Sequence, residues 1–239
     1  MHGRVHIPAG GVRGPVVRQV CQDTRPLRAP SESVVGLVTE LGLGAVVVGG
    51  YDVGSGVAHT LACHRPDLLH AMVLAPPMPG IGDRTLPAES QREFWYQSFH
   101  RLALAEQLLD GKPDAVRPYL RFFWERWSGP DFVVNESQLE RLTANYSSPG
   151  AFRASIAWYR AGPDAYTLNR PVPAPPVPVS TPLTVLWPDH APPFPRAWSD
   201  AVDQFYDHVH LQPVNRAGHF APLEYPDVMA NAILATLTP

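Results

Sequence analysis

Apolar positions along this chain fall into two kinds of run, and their order predicts an α/β protein. "SESVVGLVTELGLG" places Val34, Val35, Leu37, Val38 and Leu41 on one helical face, with Ser31 or Ser33 as the N-cap and Gly42 or Gly44 as the stop. Ala45 to Val48 then form a short unbroken apolar run, the pattern of a strand buried on both faces. "SGVAHTLACHRPD" reads as a helix ending near Pro66, and "HAMVLA" as a second buried strand. Strand, helix and strand in this order make a βαβ unit and hence a parallel sheet.

The period changes between Pro79 and Pro171. "ESQREFWYQSFHRLALAEQLLDG", "DAVRPYLRFFWERW" and "PGAFRASIAWYRAG" are helical and rich in aromatics, so this span reads as a helical insertion. "PVPAPPVPVSTP" is a stiff proline-rich return. The sheet pattern resumes with "LTVLW" and the weaker "HVHLQPV". The chain closes on an amphipathic helix, "YPDVMANAILATL", with Val228, Met229, Ile233 and Leu237 on one side. Val16 to Val20 make a further short strand. The expected organisation is therefore a core in two parts, 1–78 and 171–239, with a helical cap over 79–170.

Composition narrows the function classes. Charged residues are 17% of the 239 and the formal net charge is -3, which gives no attraction to nucleic acid or to acidic membranes. No uncharged apolar run is long enough to span a bilayer. Cys21 and Cys63 are too few for a disulfide framework, which suits reduced thiols and a cytoplasmic location.

The chemistry concentrates at "VVVGGYDVGSG". A buried strand runs into a tight glycine-rich turn and then a helix, the context of a nucleophile elbow. The central residue is Asp52 where the hydrolase version has serine, and Ser55 falls three positions late. A carboxylate is ionised at neutral pH, so it attacks carbon without a base and forms an ester. Water must then cleave the ester, which requires a base and an oxyanion site. His219, in "NRAGHFAPLEYP" between the last strand and the last helix, is placed to be that base. The backbone N–H of Val53, next after the carboxylate, can serve as one oxyanion donor.

These two motifs resemble those of the α/β-hydrolase superfamily, over roughly residues 31 to 239. Within it the chain is most similar to soluble epoxide hydrolases and less closely to haloalkane and haloacetate dehalogenases. The resemblance implies an α/β-hydrolase fold with a helical cap, an oxirane opened to a diol through an aspartyl ester, and no metal or organic cofactor. It also implies two cap tyrosines that protonate the departing oxygen. Tyr96 in "FWYQSF" and Tyr159 in "IAWYRAG" match them. Trp95 and Trp158, each beside a tyrosine, read as pocket wall or, in a dehalogenase, as halide donors.

Two departures from the family pattern stand out. The acid that orients the histidine falls on Ala191 in "LWPDHAPPFP", with Asp189 two positions early, and the alternative position near Ala75 is also empty. Either Asp189 reaches His219 through a rearranged loop, or a water substitutes, or activity is weak or lost. Relatives also carry more strands before the elbow and a His-Gly-x-Pro turn. His2-Gly3 is too near Asp52 to be that turn, so N-terminal strands are expected to be partly missing. A bare sheet edge of that kind favours a homodimer or instability. The aromatic cap implies a bulky apolar or aromatic substrate, such as an epoxide of secondary metabolism. A dehalogenase and a degenerate, non-catalytic binding protein are the alternatives.

Overall fold

In the central strands, alternate residues feed two different cores, which is why they read as unbroken apolar runs. On β2 (Leu69–Leu74), Met72 and Leu74 face one core and Val73 faces the other. On β3 (Leu183–Pro188), Leu183, Val185 and Trp187 share the first core and Leu186 joins the second. The computed structural model describes residues 25–160 and 173–237. The strand expected over Val16–Val20, the His2-Gly3 pair and Cys21 lie outside the described residues.

The sheet has the order β1-β2-β3-β4, with β1 at Val46–Gly50 and β4 at Val209–Val214, and every pairing is parallel. Helix α1 (Arg25–Glu40) precedes β1, and α2 (Val53–His64) connects β1 to β2. Ser31 and Ser33 lie inside α1 and do not cap it. The packed face is centred on buried Ser31 and Val38 with Val34 and Val35, so Leu37 and Leu41 fall at its margin and stay exposed. Gly42, at φ 62°, follows the end of α1 in the left-handed conformation that glycine adopts without strain.

Between β2 and β3 the chain runs through α3 (Ala88–Arg101), α4 (Ala103–Leu109), α5 (Pro113–Trp127), α6 (Glu136–Tyr146) and α7 (Ala151–Ser155). These helices have their own core of Ala105, Leu109, Val116, Phe152 and Ile156. The proline-rich return is irregular over 173–178 and makes an isolated parallel bridge from Val179 to Tyr206, ahead of β4. After β4 come the short α8 (Ala221–Glu224) and α9 (Pro226–Ala235). Val228, Met229 and Ile233 of α9 pack on the second core. Leu237 lies past the helix end and is exposed. No described helix is long and apolar enough to cross a membrane.

Two buried histidines tie stability to pH. Burial lowers His59 from 6.5 to about 4, and its Nδ1 lies 2.6 Å from the Tyr206 hydroxyl. Burial, assisted by the Arg160 charge, lowers His100 to about 4 as well. In the unfolded chain both rings take a proton near 6.5, but in the folded protein only near 4. Their contribution is therefore full above pH 6.5, falls as pH drops through that value, and is lost below about 4. The loss is on the order of 3 kcal/mol at each ring. Urea midpoints measured at pH 7.5 and 4.5 should differ accordingly, and His59→Gln should flatten the profile.

Candidate active site

β1 ends in two glycines: Gly49 lies close under Met229 and Ile233 of α9, and at Gly50 the turn leaves no room for a side chain. A Cβ on Gly50 would meet the Gly54 carbonyl oxygen at 2.8 Å. The chain then passes through Asp52 at φ 51°, ψ -128°, a strained conformation for any residue with a side chain, before entering α2. Three hydrogen bonds fix the turn: Asp52 N–H to the Pro76 carbonyl (3.2 Å), Ala75 N–H to the Gly50 carbonyl (2.9 Å) and Ser55 Oγ to the Ala75 carbonyl (2.5 Å). Ser55 is thus a brace inside the elbow. The Asp52 side chain keeps 42% exposure, and by its position at the helix start the Val53 N–H has no intrahelical partner.

His219 Nε2 lies 2.8 Å from Asp52 Oδ2. The imidazole is almost wholly buried, among the rings of Tyr51, Trp127, Phe194 and Phe220 at centroid distances of 6.0, 5.3, 5.5 and 5.1 Å. Its loop is held against the C-terminus of α5. The His219 N–H donates to the Trp127 carbonyl at 2.6 Å, and a Cβ on Gly218 would overlap that same carbonyl. Glu224 completes the clamp by accepting from the N–H groups of Gly129 (2.7 Å) and Gly218 (3.0 Å). Glu224→Ala should therefore destabilise the protein by about 2 kcal/mol and slow any reaction that uses His219. Denaturant unfolding and a rate measurement on one preparation check both, and Glu224→Gln, which keeps an acceptor, should lose less.

Two cavities, of about 240 and 370 Å³, meet at this point. Asp52, Tyr96, Trp158 and Tyr159 line both. Met78, Ile81 and Phe194 shape the smaller one, and Phe123, Trp127 and Phe152 the larger. The Tyr96 and Tyr159 rings meet edge to face at 5.8 Å. Burial raises the pKa of Tyr96 well above 10, and the Asp52 charge adds to the rise. Tyr159 is raised likewise, by burial first and then by Tyr96 and Asp52. Both phenols therefore stay protonated and feel the carboxylate across the cavity.

Trp158 is a wall residue of both cavities. Trp95 lines neither: it stacks on Phe123 at 6.1 Å and is 38% exposed. Adjacent residues on a helix point about 100° apart, so Trp95 and Tyr96 cannot both face inward. Asp189 is not brought to His219. Its N–H bonds the Val214 carbonyl, and its carboxylate lies 3.8 Å from His190 Nε2. Among the described residues no hydrogen bond or ion pair joins it to His219. Ala191 and Ala75 are buried. Sequence reasoning assigned nothing to Trp127, Glu93 or Glu224. The Trp127 indole donates to Glu93 Oε2 at 2.9 Å, and Arg126 pairs with the same carboxylate. Glu224 does stand within the histidine motif, and its spacing from Gly218 was the available signal.

No protein-family model matches the sequence, and no curated protein matches it. Solved structures do. The ligand-free epoxide hydrolase CorEH superposes with a TM-score of 0.72 at 24% identity, over 89% of this chain and 75% of its own. One of the epoxide hydrolases from metagenomes of hot environments gives 0.67 at 25% identity, over 87% and 72%. The epoxide hydrolase of Bacillus megaterium in complex with an inhibitor gives 0.67 at 14% identity, over 88% and 75%. At these identities the likeness carries the α/β-hydrolase fold.

Proposed function

We propose that this chain, an α/β hydrolase by fold, opens epoxides through an ester of Asp52. One observation carries the reading: a carboxylate on a strained elbow, 2.8 Å from a histidine, in a cavity faced by two buried, protonated phenols. Asp52 attacks an oxirane carbon, and Tyr96 or Tyr159 supplies the proton that the departing alkoxide needs. His219 activates water against the ester carbonyl, the Val53 N–H meets the oxyanion, and a diol leaves.

The two cavities flank Asp52, which favours an oxirane bearing an apolar substituent on each carbon. Phe123, Trp127 and Phe152 suit an aryl group on the larger side. Release of halide is the weaker reading. A departing halide needs no proton, so the two buried phenols favour the alkoxide. Of the indoles lining the cavities, Trp127 gives its N–H to Glu93 and Trp158 is the donor a halide would use. The soluble, cytoplasmic setting and a homodimer belong to the same proposal.

The test is diol formation from mono- and 1,2-disubstituted epoxides, run beside haloalkanes with a halide electrode. Halide release without epoxide opening would replace this reading with the dehalogenase one.

A further inference from the structure

We infer that the protein forms the Asp52 ester much faster than it releases it, so that it captures epoxides about one per chain. This rests on the epoxide reading above.

The two halves of the reaction need different groups. For capture, an Asp52 oxygen bonds to an oxirane carbon, the ring C–O bond breaks, and the alkoxide takes a proton from Tyr96 or Tyr159. The phenolate regains its proton from solvent. Carboxylate and phenols are both in place around one cavity. For release, water adds to the ester carbonyl and loses a proton to His219 Nε2. The diol departs, and the oxygen from water remains on Asp52. That step requires Nε2 to be free of its proton, with the ring's proton held on Nδ1.

Which nitrogen of a histidine carries the proton is set by the partner of the other nitrogen. In the resting protein Nε2 faces the Asp52 carboxylate at 2.8 Å, which draws the proton to Nε2. Alkylation turns that carboxylate into an ester, and release then depends on an acceptor that holds the ring's proton on Nδ1. Among the described residues no hydrogen bond or ion pair reaches Nδ1. The carboxylate nearest in the loop, Asp189, lies 3.8 Å from His190 Nε2 and is 30% exposed. Ala191 and Ala75 offer no acceptor in their side chains. The ring is held by aromatic packing and its backbone by the Trp127 carbonyl, neither of which chooses the tautomer. Loss of the orienting carboxylate in a serine triad lowers turnover by about four orders of magnitude. The alkylation step, which does not use His219 as a base, escapes that penalty.

The experiment is intact-mass spectrometry of the full chain with excess styrene oxide and, separately, trans-stilbene oxide. Diol is quantified in the same samples. The expected result is a mass increase of one epoxide, mapped to the peptide carrying Asp52, with diol production at least about a thousandfold slower than modification. Asp52→Asn should show no adduct. Ala191→Asp, which returns a carboxylate to the loop bonded to the histidine loop through His190 N–H and the Ala217 carbonyl (2.9 Å), should shorten adduct lifetime. The wild-type adduct lifetime decides the matter if that variant does not fold. Rapid diol turnover on unmodified protein would overturn this inference and leave the epoxide reading standing. Neither adduct nor diol would overturn the epoxide reading itself. An adduct that persists in Asp52→Asn would overturn both.

Discussion

Asp52→Ala should leave the protein folded and lower the rate of epoxide opening by at least about four orders of magnitude. The fold survives because the elbow is fixed by groups other than this side chain: Gly50, the Ser55 hydroxyl and backbone bonds to Ala75 and Pro76. The chemistry does not survive, because among the described residues no other carboxylate lines either cavity. The backbone at φ 51° holds the Asp52 carboxylate out of the helix and into the space where the cavities meet. Time-resolved mass spectrometry measures the loss. A single turnover in oxygen-18 water adds a positive signature in the wild type: label enters the Asp52 carboxylate and the first diol carries none. Opening at an undiminished rate in Asp52→Ala, or label appearing at once in the diol, would place the attack on water and end the ester mechanism.

The paired substitution Tyr96→Phe with Tyr159→Phe should slow ester formation by about three to four orders of magnitude, and each single substitution by about one to two. The asymmetry follows from geometry. The two rings meet at 5.8 Å over the same carboxylate, so either phenol can serve when the other is gone. Folding should be nearly indifferent, since a phenylalanine fills the same aromatic space. The pH profile separates a proton donor from a packing residue. Burial and the Asp52 charge hold both phenols above their ordinary range, so each stays protonated, and able to donate, beyond pH 10. The rate of ester formation should therefore be flat from pH 7 to 10 in the wild type. A decline centred at the ordinary phenol value would show that these groups are solvated, and so not the donors.

Much of this site was legible because its parts are local. "VVVGGYDVGSG" encodes an elbow through small residues that only a sharp turn requires, and the buried strands announce themselves by apolar residues on both faces. Tyr96 and Tyr159 were found through motif likeness, and the cavity holds both. The pairing of Trp95 with the pocket failed because helical rotation separates residues that are neighbours in the chain. Ser31 looked like a cap and is instead buried, since the chain already enters the helix at Arg25. Trp127 stayed invisible because its partner His219 is distant along the chain, and Glu224 showed only half its role, the local bond to Gly218, because Gly129 is equally distant.

The sequence by itself determined the parallel α/β core, the helical excursion between its second and third strands, and the carboxylate at the turn. Each of these is a short-range pattern of polarity and backbone freedom. Only the tertiary structure decided that His219 meets Asp52, that two phenols roof the same cavity, and that Asp189 turns toward His190 and not toward the imidazole. Those facts depend on how the cap and the loops beyond the carboxyl ends of β1, β3 and β4 pack together, and neither spacing nor residue type specifies a contact of that range.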